Sequence, residues 1–234
     1  MPQIPRLLAI TDRHALDRWI ETRGAGDNEV EALSSWARVL DAHGVDAIQL
    51  REKDLDDRRL FELATLLRRA MSHTRLVING RADLAVACGS WAVHLPADGV
   101  PPSALRRRFG ERLLIGCSTH HPDEVAWARS EGADYVTFGP IFHTPSKASY
   151  GPPPGPEALL EAAGKGLPVL ALGGVGQAQM DEVARHGADG IAGIRIFQEP
   201  AHIPSVVATR DRIWPHPPTA STSRGNHGDP GYRA

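Results

Sequence analysis

The chain has little cysteine: Cys88 and Cys117 are the only two in 234 residues, and neither belongs to a C-x-x-C pair. That excludes a disulfide framework and leaves both thiols as small buried hydrophobes. No apolar run approaches the roughly 18 residues that a bilayer-spanning helix needs, so no membrane partner is expected. The opening Met1-Pro2-Gln3-Ile4-Pro5-Arg6 leads through a short apolar stretch to Thr11-Asp12, which is not a secretory signal. Charge of one sign is lacking too. Lys plus Arg number 26 against 28 Asp plus Glu, a formal net charge of −2, so there is no electrostatic footprint for a nucleic-acid partner. The 23 Gly and 19 Pro are scattered without period, which rules out collagen-like and coiled-coil chains. These exclusions leave a cytoplasmic protein, 41% apolar, long enough to bury one sizeable core.

What is present is a rhythm. Short apolar runs at residues 7–11, 45–51, 76–79, 92–95, 113–118, 135–138, 169–172 and 190–194 alternate with amphipathic stretches, eight pairs in all. Runs this short and this apolar suit strands of a parallel sheet covered on both faces. Leu33, Trp36, Ala37 and Leu40 fall at i, i+3, i+4 and i+7, as do Leu60, Leu63, Ala64 and Leu67, the stripe of a helix lying on that sheet. Shorter helices are predicted at 82–87, 103–109, 123–130, 156–163 and 180–186. His43-Gly44-Val45-Asp46, Glu131-Gly132-Ala133-Asp134 and His186-Gly187-Ala188-Asp189 each place glycine where a helix stops, just ahead of a strand. Eight strand–helix pairs predict a single (βα)8 TIM barrel over residues 1–214. An open doubly wound sheet is the alternative, but Thr11-Asp12-Arg13-His14 offers no G-x-G-x-x-G after the first strand. Residues 13–28 read as a polar loop. Residues 215–234 hold only Ala220, Tyr232 and Ala234 as apolar side chains. Burial there cannot offset the ordering entropy, which predicts a flexible tail.

In such a barrel the chemistry sits at the C-terminal strand ends. Gly173-Gly174 follow the seventh strand and Gly193-Ile194-Arg195 the eighth. Glycines there let backbone N–H groups approach an anion, and a helix N-terminus adds its dipole, so these five residues are the candidate phosphate site. Arg51 and Lys53 alternate with Leu50 and Glu52 beyond strand 2, which suits a second anion, a carboxylate or a pyrophosphate. His120, after strand 5, is the candidate proton carrier. His121 points away or starts a helix at Pro122, His94 packs or orients, and His143 lies in a long loop. These histidines lack H-x-x-x-H or H-E-x-x-H spacing, so no metal site is predicted.

Several stretches together resemble the thiamine-phosphate synthase/thiazole tautomerase superfamily. They are Leu8-Ala9-Ile10-Thr11-Asp12, Gln49-Leu50-Arg51-Glu52-Lys53, Val77-Ile78-Asn79-Gly80-Arg81, Gly116-Cys117-Ser118-Thr119-His120, Phe138-Gly139-Pro140-Ile141-Phe142-His143-Thr144-Pro145-Ser146-Lys147 and Gly173-Gly174-Val175. The likeness runs in order over about residues 7–198. It implies a phosphorylated thiazole ligand, with substrate contacts from Gln49, Arg51, Lys53, Asn79, Ser118, Thr144, Ser146 and Lys147. Two departures bear on the branch. Where the synthases resemble one another in two carboxylates that look like Mg²⁺ ligands, this chain has Gly80 and, in Pro96-Ala97-Asp98-Gly99, Gly99. Asn-Gly-Arg after strand 3 and Leu-Pro after strand 4 resemble the tautomerase branch, whose catalytic histidine falls on His120. The expectation is therefore a thiazole tautomerase without cofactor, aromatising a carboxythiazole phosphate by proton transfer. The alternatives are a synthase with an altered Mg²⁺ site, or a non-catalytic thiazole-phosphate-binding or regulatory protein. After strand 8, Arg195 stands where the family commonly has Ser, in a segment one residue shorter. A homodimer is the one protein partner considered.

Overall fold

The structure is a computed structural model that describes residues 4–16, 29–144 and 153–215. Eight parallel strands close into a barrel in sequence order: β1 (Leu7–Ile10), β2 (Ala47–Leu50), β3 (Arg75–Asn79), β4 (Ala92–Leu95), β5 (Leu114–Thr119), β6 (Tyr135–Phe138), β7 (Val169–Leu172) and β8 (Gly190–Gly193). Closure is shown by Leu8, which pairs with Ala47 on one side and Ala192 on the other. Around the barrel lie α1 (Glu29–His43), α2 (Asp57–Ala70), α3 (Ala82–Ala87), α4 (Pro102–Phe109), α5 (Pro122–Ser130), α6 (Gly155–Ala163), α7 (Met180–Arg185) and α8 (Ile203–Ile213). The TIM barrel read from the sequence is the fold, and its strand limits move by at most two residues. The sequence reading had no helix at α8, where Ile203, Val206 and Arg210 form the buried stripe.

Local chemistry explains the elements. The stripe of α2 is buried at Leu60, Leu63, Ala64 and Leu67, each leucine contributing about 1.5–3 kcal/mol. Asp56 caps that helix by accepting a hydrogen bond from the Arg59 amide at 2.9 Å, a contact of about 1 kcal/mol. The three glycines at helix ends, Gly44, Gly132 and Gly187, all sit in the left-handed region at φ 81, 86 and 87°, a conformation that disfavours any Cβ. Each is followed two residues later by an aspartate with one job. Asp46 accepts from the Arg6 and Leu7 amides at the start of β1, Asp134 from the Ile115 amide in β5, and Asp189 from the Val169 amide in β7. Each also meets an arginine: Arg210, Arg106 and Arg6, respectively. The repeated Gly-x-Asp thus ends one helix and ties two neighbouring strands at the N-terminal face of the barrel. Trp214, buried with its indole N–H on the Ala188 carbonyl at 2.8 Å, docks the end of α8 there. Of the proposed tail only Pro215 lies among the described residues.

The barrel interior is divided in two. Leu8, Ile10, Ala47, Val77, Ala92, Leu170 and Ala192 pack with Tyr135 in an interior cluster. Two residues further along their strands come Gln49, Asn79, His94 and Thr137, with Ser118 beside them on β5. A polar layer therefore lies above an apolar plug at the C-terminal end, on the β2–β6 side.

Candidate active site at the barrel mouth

Strand alternation places the predicted residues. Ala47 faces the barrel axis, so Gln49 does too, and Arg51 and Lys53 continue that face past β2. Arg51 is half-buried and Lys53 exposed. The Arg51 amide donates to the Thr11 hydroxyl at 2.9 Å, fixing the first residue of the loop. Glu52 turns the other way and is buried against Arg13, whose guanidinium also meets Glu29 and Asp54. That hydrogen bonding raises Arg13 and holds Asp54 well below the usual carboxylate range. The sequence reading left Arg13 in a polar loop. The signal for it was Glu52 and Asp54 bracketing Lys53.

Gln49 donates from Nε2 to the Asn79 Oδ1 at 2.9 Å. Its Oε1 is buried with no partner among the described residues. An orphan buried acceptor costs about 1–3 kcal/mol, so its place beneath the mouth marks where a ligand N–H or O–H would be taken up.

His120 follows Ser118 by two residues and shares its inward face. Its Nδ1 sits on the Gly139 carbonyl and its amide donates to Glu124 Oε2 at 2.6 Å. A carbonyl only accepts, so Nδ1 carries a proton, and in the neutral ring the lone pair is on Nε2. This is a base with its orientation fixed from behind. His121 is exposed, at the cap of α5, as the sequence reading had it. His94 is buried beneath Ser118, and burial, with the Arg51 charge, lowers it to about 3.

The glycine pair after β7 has two reasons to be glycine. Gly173 and Gly174 have φ of 91 and 68°, and a Cβ on them would lie 2.6 Å from Pro140 Cα and 2.7 Å from Phe142 Cβ, respectively. The loop after β6 thus rests directly on them, with the Phe142 amide on the Gly173 carbonyl at 3.0 Å. Among the described residues the Gly174 and Ile194 amides find no backbone acceptor. Arg195 reaches across to the Thr144 hydroxyl at 2.5 Å and joins the β8 end to the β6 loop. Ser146 and Lys147 lie outside the described residues.

The mouth thus gathers Gln49, Arg51, Asn79, Ser118 and His120 opposite Gly173, Gly174, Gly193, Ile194 and Arg195. Two other clefts, of about 560 and 400 Å³, lie against the outside of α2 and between α1 and α2. Their linings hold none of the strand-end residues. Among the described residues the rim holds no carboxylate set suited to Mg²⁺. Gly80 and Gly99 carry no ligand atom, Asp98 is exposed, and Asp83 is engaged with Arg81 at 2.6 Å. Among the described residues no three His, Cys, Asp or Glu converge to hold a metal. The residues present do not fit the ion that the resemblance implies for synthases.

A family model described as thiamine monophosphate synthase matches residues 22–197. The chain belongs to the thiamine monophosphate synthase family. Within it, the chain is 42% identical over 80% of its length to a putative thiamine-phosphate synthase of Geobacter sulfurreducens, covering 83% of that protein. It is 38% identical to a putative thiamine-phosphate synthase 2 of Aquifex aeolicus over 84% of this chain and 100% of the other. The solved thiamine phosphate pyrophosphorylase of Pyrococcus furiosus superposes with a TM-score of 0.73 at 25% identity, covering 89% of this chain and 96% of that one. Small phosphorylated substrates go with this family. No helix of the described residues is long and apolar enough to cross a membrane.

Proposed function

We propose that this family member binds a thiazole phosphate at the barrel mouth and couples it to a pyrimidine pyrophosphate, the thiamine-phosphate synthase reaction. The observation that carries this reading is the 42% identity to a relative named for that activity. It replaces the tautomerase as the first choice, because the Geobacter and Aquifex relatives both bear the synthase name. The chain's own groups divide between two anions. The Gly174 and Ile194 amides with Arg195 take the thiazole phosphate, and Arg51 and Lys53 face the charge that grows on the departing pyrophosphate. Gln49 Oε1 accepts a hydrogen bond from a ring substituent.

A second reading, tautomerisation of a carboxythiazole phosphate, is favoured by one specific observation: the described residues of the rim lack the carboxylates for Mg²⁺, while His120 is oriented by its Nδ1 contact. Here Arg51 and Lys53 neutralise the substrate carboxylate, and His120 moves the proton. The test is two incubations of the purified protein, each with Mg²⁺ and with EDTA. One holds thiazole phosphate and pyrimidine pyrophosphate, the other the non-aromatic thiazole carboxylate phosphate. Thiamine phosphate from the first supports coupling. No coupling, together with isomerisation in EDTA, would replace it by the second reading, and no turnover in either mixture would sink both.

A further inference from the structure

Past the ends of β1 and β2 the two chain segments are joined by successive hydrogen bonds. The Thr11 amide donates to the Gln49 carbonyl at 3.0 Å, and the Arg51 amide to the Thr11 hydroxyl at 2.9 Å. The Arg13 amide donates to Glu52 Oε1 at 3.2 Å, and its guanidinium to Glu52 Oε2 at 2.9 Å and to both oxygens of Asp54. Arg13 Nε donates to Glu29 Oε2, at the start of α1, at 2.8 Å. One guanidinium thus meets three carboxylates. His14, which is exposed, lies 3.1 Å from Glu29 and 3.3 Å from Asp54, but among the described residues Arg13 is the only cation on Glu52.

The chain order gives this cluster a consequence for the mouth. Arg51 and Lys53 alternate with Glu52 and Asp54, so each cation has a carboxylate as its immediate neighbour. Yet among the described residues neither Arg51 nor Lys53 is in a salt bridge, while Glu52 and Asp54 both pair with Arg13. Glu52 is buried, and a buried charge without a partner is strongly disfavoured. Without Arg13, Glu52 would have to turn toward another cation. Lys53, beyond the end of β2 and on a flexible stem, is free to meet it. A cation engaged in that way is lost to an anionic ligand.

We propose that Arg13 is a positioning residue for the mouth: by occupying Glu52 and Asp54 from behind, it keeps Arg51 and Lys53 unpaired and available to the pyrophosphate of the second substrate. The ligand side of this inference rests on the coupling reading of the site; the side-chain arrangement does not.

Two measurements keep them apart. In a ligand-free crystal structure of Arg13→Met, Arg51 or Lys53 should lie within about 4 Å of a Glu52 or Asp54 carboxylate oxygen. Both cations unpaired, as in the wild type, would overturn the proposal whatever the ligand. Titration calorimetry with inorganic pyrophosphate then compares the wild type, Arg13→Met and the triple variant Arg13→Met/Glu52→Gln/Asp54→Asn. Losing a cation from the anion site should weaken binding about tenfold in Arg13→Met. Neutralising the two carboxylates should bring the triple variant back to within about twofold of the wild type. A merely structural role for Arg13 predicts the opposite, since the triple variant has lost still more of the cluster. Unchanged binding in Arg13→Met, or a triple variant as weak as Arg13→Met, would overturn the proposal. If Arg13→Met does not fold, Arg13→Lys replaces it in both measurements, because a single ammonium cannot hold all three carboxylates in the geometry of the guanidinium fork, and the same outcomes decide. If the wild type does not bind pyrophosphate, the coupling reading loses its second anion and the crystal structure alone decides the role of Arg13.

Discussion

Asp134→Asn replaces one oxygen by an amide nitrogen at the N-terminal face of the barrel, far along the strands from the mouth. In the wild type, Asp134 accepts from the Ile115 amide at 2.7 Å and from the Arg106 guanidinium. Both side chains of the pair are largely buried, at 16% and 13% exposure for Arg106 and Asp134. Asparagine can keep one acceptor for Ile115 but loses the charge, and its NH₂ is set against the Arg106 donors. A charge-assisted hydrogen bond contributes about 1.5–3 kcal/mol, and breaking a fully buried pair costs about 3–5. Some exposure, and the bonds Arg106 keeps to the Gly132 and Leu113 carbonyls at 2.9 Å each, put the cost at the low end, about 2 kcal/mol. Urea unfolding at pH 7 should show a lower midpoint with unchanged slope, and Tm should fall by roughly 4–8 °C. Turnover below the melting range should be unchanged. A loss under about 0.5 kcal/mol would refute the claim that Gly-x-Asp ties the strands together.

Three further outcomes follow from the mouth. His94 is lowered to about 3 from an ordinary 6.5, so below pH 6.5 the unfolded chain binds a proton that the folded state refuses. Stability should therefore fall on acidification through that window, by at most about 1.4 kcal/mol per pH unit from this group, and His94→Gln should flatten the slope in urea melts at pH 7, 5.5 and 4.5; parallel slopes would count against it. Under the tautomerase reading, His120→Asn should lower kcat for isomerisation by roughly 10²–10⁴ with a modest change in KM, and full activity would move the proton relay elsewhere. Arg195→Ala, which removes the guanidinium shared with Thr144, should raise KM for the phosphorylated thiazole about tenfold in steady-state kinetics; an unchanged KM would take Arg195 out of the phosphate site.

The barrel was legible because its signals repeat. Short apolar runs, helix stripes and glycine stops recur often enough that a misplaced limit at β3 or β5 does not alter the topology. The helix at α8 was not legible, since its stripe holds an arginine, Arg210, that is buried only because Asp46 and the Gly44 carbonyl receive it. At the site, residues whose place follows from strand position were readable: Arg51, His120 and the glycines at the ends of β7 and β8. Those that depend on a partner from another strand were not. Arg13 needs Glu52 and Asp54. The glycine pair also shows how one signal carries two causes. Gly173 and Gly174 are demanded by the β6 loop packed on them, so their presence alone does not measure anion binding.

The most direct measurement is therefore a crystal structure of the protein grown with thiazole phosphate. The phosphate should lie on the Gly174 and Ile194 amides within hydrogen-bond distance of Arg195, with the thiazole ring directed toward Ser118 and His120. Thiazole phosphate found only beside Lys53, or in the cleft between α1 and α2, would contradict the account.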